Sequence, residues 1–469
     1  MLQIYLRNTN LAFLECTVGF PRGQKLQDND IAQKRRVFAA SAIGTTIEWY
    51  DFFIYSTSAA LVFSSQFFSA MDPATALLTS MATIGVTFLA RPLGSAVIGH
   101  FGDRLGRKKM LVLTLGIMGG ATFLVGLLPT YSQIGVWAPI LLVTLRFMQG
   151  FSAGGEWAGA ALMAVEHAPP KKRGFWGSSS QLGTPVGLIL ATATVLTMVS
   201  LTTDEQFLAW GWRVPFFVSI LMVAVGYYIR AKVDESPAFE EMKNAQPSER
   251  TPLADVFRLH KRPLIIAALT FLGNNMGGYI FLSFMLSYAT NTLKLESSSM
   301  LLVQIVASFM WLASILVSGY LTDSVGARKL YIIGFTAQVL TAIPFMLLVA
   351  TGNLFYIYLA AFMLTASLGF SYGPQSAMFV GLFPTRVRYS GASLAYAIGA
   401  ILGGGPAPFL ATWLVQNTGS AVSVGVYLLV AGLISLLATL AIRPSDMVGI
   451  PHGPDVSEKE VQEHVAARA

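Results

Sequence analysis

GHFGDRLGRKK, residues Gly99 to Lys109, is a charged loop set between two apolar runs, and a degraded copy returns at Gly319 to Lys329 as GYLTDSVGARK. Gly99, Asp103, Gly106 and Lys109 of the first copy fall on Gly319, Asp323, Gly326 and Lys329 of the second. Chemically unlike positions kept at one spacing imply that the second half of the chain repeats the first, with an apolar helix on either side of each loop. The stretch therefore predicts a duplicated membrane protein.

Composition carries the same message. Hydrophobic residues make up 54% and charged residues 12%, with a mean hydropathy of +0.60, whereas soluble domains carry about a quarter charged residues. A bilayer core of about 30 Å takes roughly 20 apolar helical residues per crossing, and about twelve such runs fit between residues 37 and 442. The expectation is an all-α integral membrane protein with twelve transmembrane helices in two six-helix bundles. Its parts are a tail over 1–34, a first bundle over 35–231, a polar linker over 232–262, a second bundle over 263–443 and a tail over 444–469. Short helices are expected around Pro237 to Lys243 and, from the capping pattern Ser457-Glu458-Lys459-Glu460, in the last tail.

The net charge of +7 is informative through its placement. Lys34, Arg35 and Arg36 precede the first run; Arg104, Arg107, Lys108 and Lys109, then Lys171, Lys172 and Arg173, then Arg328, Lys329, Arg386 and Arg388 fill alternate loops. The intervening loops hold one basic residue, Lys294. By the positive-inside rule both termini and the linker are cytoplasmic, and a nucleic-acid partner is disfavoured. Residues 1–33 lack an apolar core followed by a small-residue cleavage site, which argues against a signal peptide. Cys16 is the single cysteine, so no disulfide forms within the chain.

The first run, GTTIEWYDFFIYS, places Glu48 and Asp51 on one helix face at mid-membrane depth. An acidic side chain there costs ~3 kcal/mol on insertion scales and belongs in a bundle interior, beside a partner or a water-filled cavity. Arg91 in the second run and Arg146 and Glu156 in the fourth are the counterparts. Three carboxylates thus meet two guanidiniums, and if both cations are paired one acid is left to exchange a proton. A purely structural ion pair is the competing reading. The second half contrasts with this: between Leu264 and Ile442 charged residues fall only at loops. It offers Asn274, Asn275, Tyr279, Gln304, Tyr372, Gln375 and Tyr396, which read either as neutral substrate contacts or as interhelical hydrogen bonds. Helix breaks are expected at Asn274 to Tyr279, Gly183 to Gly187, Pro374 and Gly403 to Pro408, while Gly150, Gly154, Gly155 and Gly159 read as close packing.

Enzymatic readings fail on context. Gly150-Phe151-Ser152-Ala153-Gly154 fits G-x-S-x-G, but within an apolar helix and without a histidine partner. The five histidines sit at loops or tails, no metal-ligand spacing occurs, and no phosphate-binding G-x-x-x-x-G-K-[ST] loop is present. What remains is transport driven by an ion gradient or by the substrate's own, with no cofactor and H+ as the coupling ion. A nutrient sensor is disfavoured because no sizeable cytoplasmic output domain is in sight.

The loop and its echo, together with Arg146-Phe-Met-Gln-Gly150 in the fourth run, resemble the major facilitator superfamily over about residues 35–443. Glu48-Trp-Tyr-Asp51-Phe, Phe88-Leu-Ala-Arg91-Pro-Leu-Gly94, Gly154-Gly155-Glu156-Trp157, Trp210-Gly211-Trp212-Arg213-Val214-Pro215-Phe216 and Arg388-Tyr-Ser-Gly391 are similar to its metabolite:proton symporter family, and within that to the bacterial shikimate transporters. The resemblance implies inverted three-helix repeats within each half. It also implies a bacterial inner-membrane symporter that imports a small carboxylate, or a zwitterion such as betaine or proline, with a proton by alternating access; the sequence is silent on oligomeric state, for which a monomer is the default. An exporter of drugs or metabolites is the other alternative.

Residue roles follow from the same resemblance. Asp103 would cap a helix of the other half, inside a latch of Gly99, Arg104, Gly106, Arg107 and Lys108, with Asp323 and Arg328 as a weaker second copy. Asp51 matches a first-helix acid that pairs with a fourth-helix arginine, here Arg146, so Asp51, Glu48 and Glu156 are the proton-coupling candidates. Arg91 or Arg146 would bind a substrate carboxylate bidentately, with Gln149 beside them and Trp49, Tyr50 and Trp157 around a small ring.

Overall fold

The computed structural model describes the backbone of residues 22–105, 107–169, 171–231, 252–384, 387–443 and 446–447, and every regular element among them is helical. The first bundle comprises α1 (Arg22–Leu61), α2 (Pro73–Leu105), α3 (Arg107–Leu127), α4 (Trp137–Ser152, a tight turn Ala153–Gly155, then Glu156–Glu166), α5 (Ser179–Leu201) and α6 (Val214–Ala231). The second comprises α7 (Lys261–Tyr279, with π-helical turns Ile280–Phe284 and Tyr288–Thr292), α8 (Ser297–Val325), α9 (Ala327–Ala350), α10 (Leu354–Tyr372 and Gln375–Leu382), α11 (Arg388–Leu402 and Ala407–Thr418) and α12 (Val422–Leu440).

Nine of these crossings are long and apolar enough to be recognised from length and composition among the described residues. The other three are α1, which carries Glu48 and Asp51; α3, whose apolar part Val112–Leu127 is short; and α4, which is divided by its tight turn. Together they make the twelve crossings of a multi-pass membrane protein.

The duplication is visible in the backbone. One residue separates α2 from α3 at position 106, and one residue, Gly326, separates α8 from α9 at the equivalent place in the second copy. Gly326 has φ +96°, a conformation that a side chain disfavours, which is why glycine stands at this sharp reversal. Packing repeats as well. In the first half α1 lies against α5, α2 against α4 and α3 against α6; in the second α7 lies against α11, α8 against α10 and α9 against α12. The halves meet through α2 with α11 and α5 with α8, a two-fold related pair of seams.

The structure departs from the sequence reading at several boundaries. α1 begins at Arg22, inside the segment read as a tail, and an amphipathic helix, Pro252–Leu259, lies inside the segment read as a linker. The short helices expected near Pro237 to Lys243 and Ser457 to Glu460 lie outside the described residues. α5 runs unbroken through Pro185, and Gly183 and Gly187 serve close approach: a Cβ on Gly183 would press into Thr45 and Thr46 of α1, and one on Gly187 into Thr46, Trp49 and Tyr50. α7 continues through Asn274 to Tyr279 and loosens only afterwards, into the π-helical turns. Breaks do occur at Pro374 and over Gly403 to Pro406, where proline removes a backbone donor.

Small residues let α2 and α4 touch along their backbones. A Cβ on Gly94 would overlap the carbonyl of Phe151, one on Gly150 the carbonyl of Thr87, and one on Gly154 the carbonyl of Arg91. Such contacts are how helices associate where lipid removes the hydrophobic driving force. The Trp212-Arg213 motif acts at the far end of the first bundle. Arg213 Nη1 donates to the carbonyls of Gly126 (2.8 Å) and Leu128 (2.6 Å) while its guanidinium lies 4.4 Å from the Trp212 ring centre. The cation satisfies carbonyls that the C-terminus of α3 leaves open and sits at the negative end of its dipole.

Two alanine substitutions should therefore act in opposite directions. Gly94→Ala should destabilise the detergent-solubilised protein by about 1–3 kcal/mol through overpacking. Gly116→Ala, whose methyl would meet no atom within 4 Å, should be neutral or stabilising by up to about 1 kcal/mol. Thermal melting followed by size-exclusion chromatography reads both.

Candidate functional site

Three-residue spacing on α1 aims Glu48 and Asp51 into the first bundle, where both are almost fully buried, at 1% and 0% exposure. Arg91 of α2 meets Glu48, with Nη2 3.3 Å from Oε1. Its guanidinium is walled by aromatic rings, 4.8 Å from the centre of Phe52, 5.3 Å from Phe88 and 5.8 Å from Tyr396. Removing the solvation of both charges is affordable only with this close pairing and ring contact.

Asp51 is held differently. Its Oδ2 lies 2.9 Å from the hydroxyl of Thr122 on α3, which also lies 2.9 Å from the carbonyl of Met118 and accepts from Gln149 Nε2 at 2.8 Å. Gln149 Oε1 in turn accepts from Arg146 Nη1 at 3.0 Å. The direct Asp51–Arg146 pair implied by the family resemblance is thus replaced by a chain through Gln149 and Thr122. Among the described residues Arg146 has no carboxylate within salt-bridge distance; it lies 3.9 Å from the centre of the Tyr55 ring and 5.3 Å from that of Phe52. Neutral donors fill the gap because Gln149 sits one turn along α4 from Arg146 and Thr122 faces it from α3. Asp51 Oδ1, Arg91 Nε and Arg146 Nε and Nη2 are buried without a hydrogen-bond partner among the described residues. Glu156, the third acid, is buried where the second part of α4 begins.

A central cavity of about 20 Å3 lies next to this cluster, room for about one water. It is lined by Trp49 and Phe53 of α1, Thr184 of α5, Phe271, Asn274, Asn275, Gly278 and Tyr279 of α7, Trp311 of α8 and Tyr372 of α10. Two ring contacts connect it to Arg91: Phe88 packs edge-on against Tyr279 at 5.2 Å, and Tyr396 stacks on Phe271 at 4.2 Å.

The structure thus brings Trp49, Asn274, Asn275, Tyr279 and Tyr372 together, as the sequence proposes, and places other candidates elsewhere. Tyr50 does not face the cavity; its hydroxyl donates to the carbonyl of Pro215 at 2.9 Å, because neighbours on a helix point about 100° apart. Trp157 does not line it either. Its ring stacks on Tyr396 at 4.2 Å and its Nε1 donates to Gln181 Oε1 at 3.1 Å, so Trp157, Tyr396 and Phe271 form one continuous stack from α4 through α11 to α7. Gln375 is fully buried on α10, with neither amide atom partnered among the described residues. Phe53, Thr122, Thr184, Phe271 and Trp311 were not singled out from sequence, being hydroxyls and rings of kinds common in any membrane helix.

Contacts join the halves at both ends. At the end carrying the repeated loops, Asp323 accepts from the backbone N–H groups of Gly174 (2.7 Å) and Phe175 (3.0 Å), Arg388 pairs with Glu166 at 3.3 Å, and the hydroxyls of Ser180 and Ser376 lie 2.8 Å apart. At the opposite end Asn291 Nδ2 donates to the carbonyl of Ala60 at 3.3 Å and the Ser283 hydroxyl to that of Ser56 at 3.5 Å. Among the described residues the halves are therefore in contact on both sides of the cavity. Asp323 bridges the halves, but Arg328 does not: it donates to the carbonyls of Thr439 (3.5 Å) and Leu440 (3.0 Å), finishing α12 of its own half. Its reach along α9 ends at that helix. The side chains of the first-copy latch, Gly99, Asp103, Arg104, Gly106, Arg107 and Lys108, lie outside the described residues.

Arg146→Lys should lower transport by at least about tenfold at unchanged expression, because an ammonium loses the planar contact with Tyr55 and the fixed geometry toward Gln149. Initial uptake rates normalised to the amount of membrane-embedded protein measure this.

Comparison with known proteins places this arrangement in context. The Major Facilitator Superfamily model matches residues 41–405. An inner membrane metabolite transport protein of Escherichia coli is 41% identical over 415 residues, covering 87% of this chain and 94% of that one. A shikimate transporter of Escherichia coli is 40% identical, covering 88% and 96%. Among solved structures, the proton:xylose symporter XylE bound to 6-bromo-6-deoxy-D-glucose superposes with a TM-score of 0.68 at 17% identity, covering 88% of this chain and 95% of that one.

Proposed function

Since this chain belongs to the Major Facilitator Superfamily of transporters, we propose that it is a monomeric, proton-coupled importer of a small organic acid. It works by alternating access in a bacterial inner membrane, with both termini cytoplasmic. The observation that carries the proposal is the buried acid–arginine cluster against the cavity: Glu48 on Arg91, and Asp51 tied to Arg146 through Thr122 and Gln149.

The chemistry of that cluster supports coupling. A buried carboxyl beside its cation is held ionised, and one separated from it is held neutral. A substrate carboxylate entering the cavity competes with Glu48 for Arg91, since a guanidinium receives either acid through the same fork. The displaced acid then takes a proton, so loading the anion and loading the proton become one event. Thr122 eases the corresponding change at Asp51, because the carbonyl of Met118 offers its hydroxyl a second acceptor when the acid no longer needs it. Reorientation carries both across, and return of Glu48 to Arg91 expels the substrate and frees the proton. The second half lines the cavity with neutral side chains, Asn274, Asn275, Tyr279, Trp311 and Tyr372.

The aromatic lining of the cavity favours a second reading, import of a small quaternary ammonium zwitterion, because onium groups bind aromatic faces.

Proteoliposomes with an imposed pH gradient, screened over organic acids and betaine with and without a protonophore, test the coupling. Asp51→Asn and Glu48→Gln should each cut gradient-driven accumulation by about tenfold or more while sparing substrate counterflow. Accumulation that still follows the proton gradient in both variants rejects the assignment.

A further inference from the structure

At the end carrying the repeated loops, three neighbouring helices of the second half finish in the same way. On α7 Lys261 stands four residues before Ile265, on α9 Lys329 stands four residues before Ile333, and past the end of α12 Arg443 follows Leu440 by three. Ile265, Ile333 and Leu440 are exposed, at 57%, 49% and 47%, and on α12 the exposed row runs on through Leu437, Leu433, Val430 and Val426. Residues three and four apart share a helix face. The cations therefore leave the protein on the side that its apolar surface turns to acyl chains. Hydrogen bonds hold the three ends together: α12 packs against both α7 and α9, Arg262 Nη2 donates to the carbonyl of Ala441 at 3.0 Å, and Arg328 caps the same turn from α9. The amphipathic helix Pro252–Leu259 leads into α7 and adds Arg258, with Val256 fully buried and Phe257 and Leu259 exposed.

Charge at this rim is one-sided. Arg258, Lys261, Arg262, Arg328, Lys329 and Arg443 gather there, against Asp446, which pairs with Arg262 at 3.3 Å, and Asp255, which is buried. Arg388, at the same end of the second half, is used differently: it is buried and turned inward onto Glu166 of the first half. Basic residues grouped beside an amphipathic helix at the foot of membrane helices complement a molecule that has an anion at one end and hydrocarbon at the other. We propose that the ends of α7, α9 and α12 bind the headgroup of an anionic phospholipid. Its phosphate lies among Lys261, Lys329 and Arg443, its acyl chains run along Ile265, Ile333 and the exposed row of α12, and Phe257 and Leu259 enter the interface beside it. A zwitterionic headgroup brings a cation of its own to the same rim, so the site sorts lipids by net charge. A soluble anion meets the charges but leaves the apolar rows uncovered. The bound lipid ties three helices of the second half to the plane of the headgroups. Neither the identity of the substrate nor that of the coupling ion enters this assignment.

Purified full-length protein in a neutral detergent, titrated with phosphatidylglycerol or with phosphatidylcholine of the same acyl chains, tests this by native mass spectrometry and by the thermal unfolding midpoint. Phosphatidylglycerol should bind at least about tenfold more tightly and raise the midpoint further. A cation near the headgroups is worth about fivefold in affinity, so Lys261→Gln combined with Arg443→Gln should weaken phosphatidylglycerol binding about twenty-five-fold and leave phosphatidylcholine unaffected. Both substitutions keep the bonds of Arg262 and Arg328 to the end of α12. Lys329→Gln, an independent single variant, should cost about fivefold. Lys294→Gln, in a loop at the opposite end, removes the same charge and should change nothing. Equal affinity for the two lipids, a preference unmoved in both rim variants, or an equal loss in Lys294→Gln overturns the proposal. Inorganic phosphate separates the sources of the anion: if phosphate alone displaces the lipid and raises the midpoint as far, the site takes a soluble anion and the lipid assignment is overturned.

Discussion

The contact between Arg91 and Glu48, 3.3 Å across in the middle of an apolar bundle, is the constraint to which the first half is built. Neither charge survives alone at that depth, so the helices bearing them must approach closely and stay in register. The glycines of α2 and α4 bring the Arg91 backbone against Gly154, and Gly183 and Gly187 bring α5 against α1 on the other side. Phe52, set between the two arginines at 4.8 and 5.3 Å, supplies a face to both cations and separates like charges. Backbone packing and electrostatics are here one design, since the first makes the distances on which the second depends.

The two halves share a fold and divide the labour. Their helix contacts repeat pair for pair, and in each the second helix ends two positions before the third begins. Among the described residues the first half buries Glu48, Asp51, Arg91, Arg146 and Glu156 in its helices, whereas the buried cation of the second half, Arg388, stands at the start of α11 against Glu166; the second half contributes Asn274, Asn275, Tyr279, Trp311 and Tyr372 to the cavity, and breaks in α10 and α11.

Much of this was legible in the chain. The repeated loop announced the duplication, the apolar runs gave the crossings, and the acids and arginines stood out because such residues are rare in lipid. Legibility ended where the signal was ordinary. Thr122 is indistinguishable in sequence from Thr46, Thr194 or Thr197, which merely bond their own helices' carbonyls four residues back. Trp311 and Phe271 look like any core ring. Tyr50 was misplaced because residue type was read without helical direction, and Arg328 because a loop charge was assigned to the other half without asking what its side chain could reach. The interposed Gln149–Thr122 bridge could not be read at all, since it depends on the lateral spacing of α1, α3 and α4.

The stack of Trp157, Tyr396 and Phe271 has a bearing on how the halves part. Its first member belongs to one half and the other two to the opposite half, so parting the halves along this seam must unstack Trp157 from Tyr396. Such ring pairs contribute about 0.5–1.5 kcal/mol each beyond their burial. The aromatic seam thus biases the molecule toward the joined arrangement of its halves until new contacts offset the lost stacking.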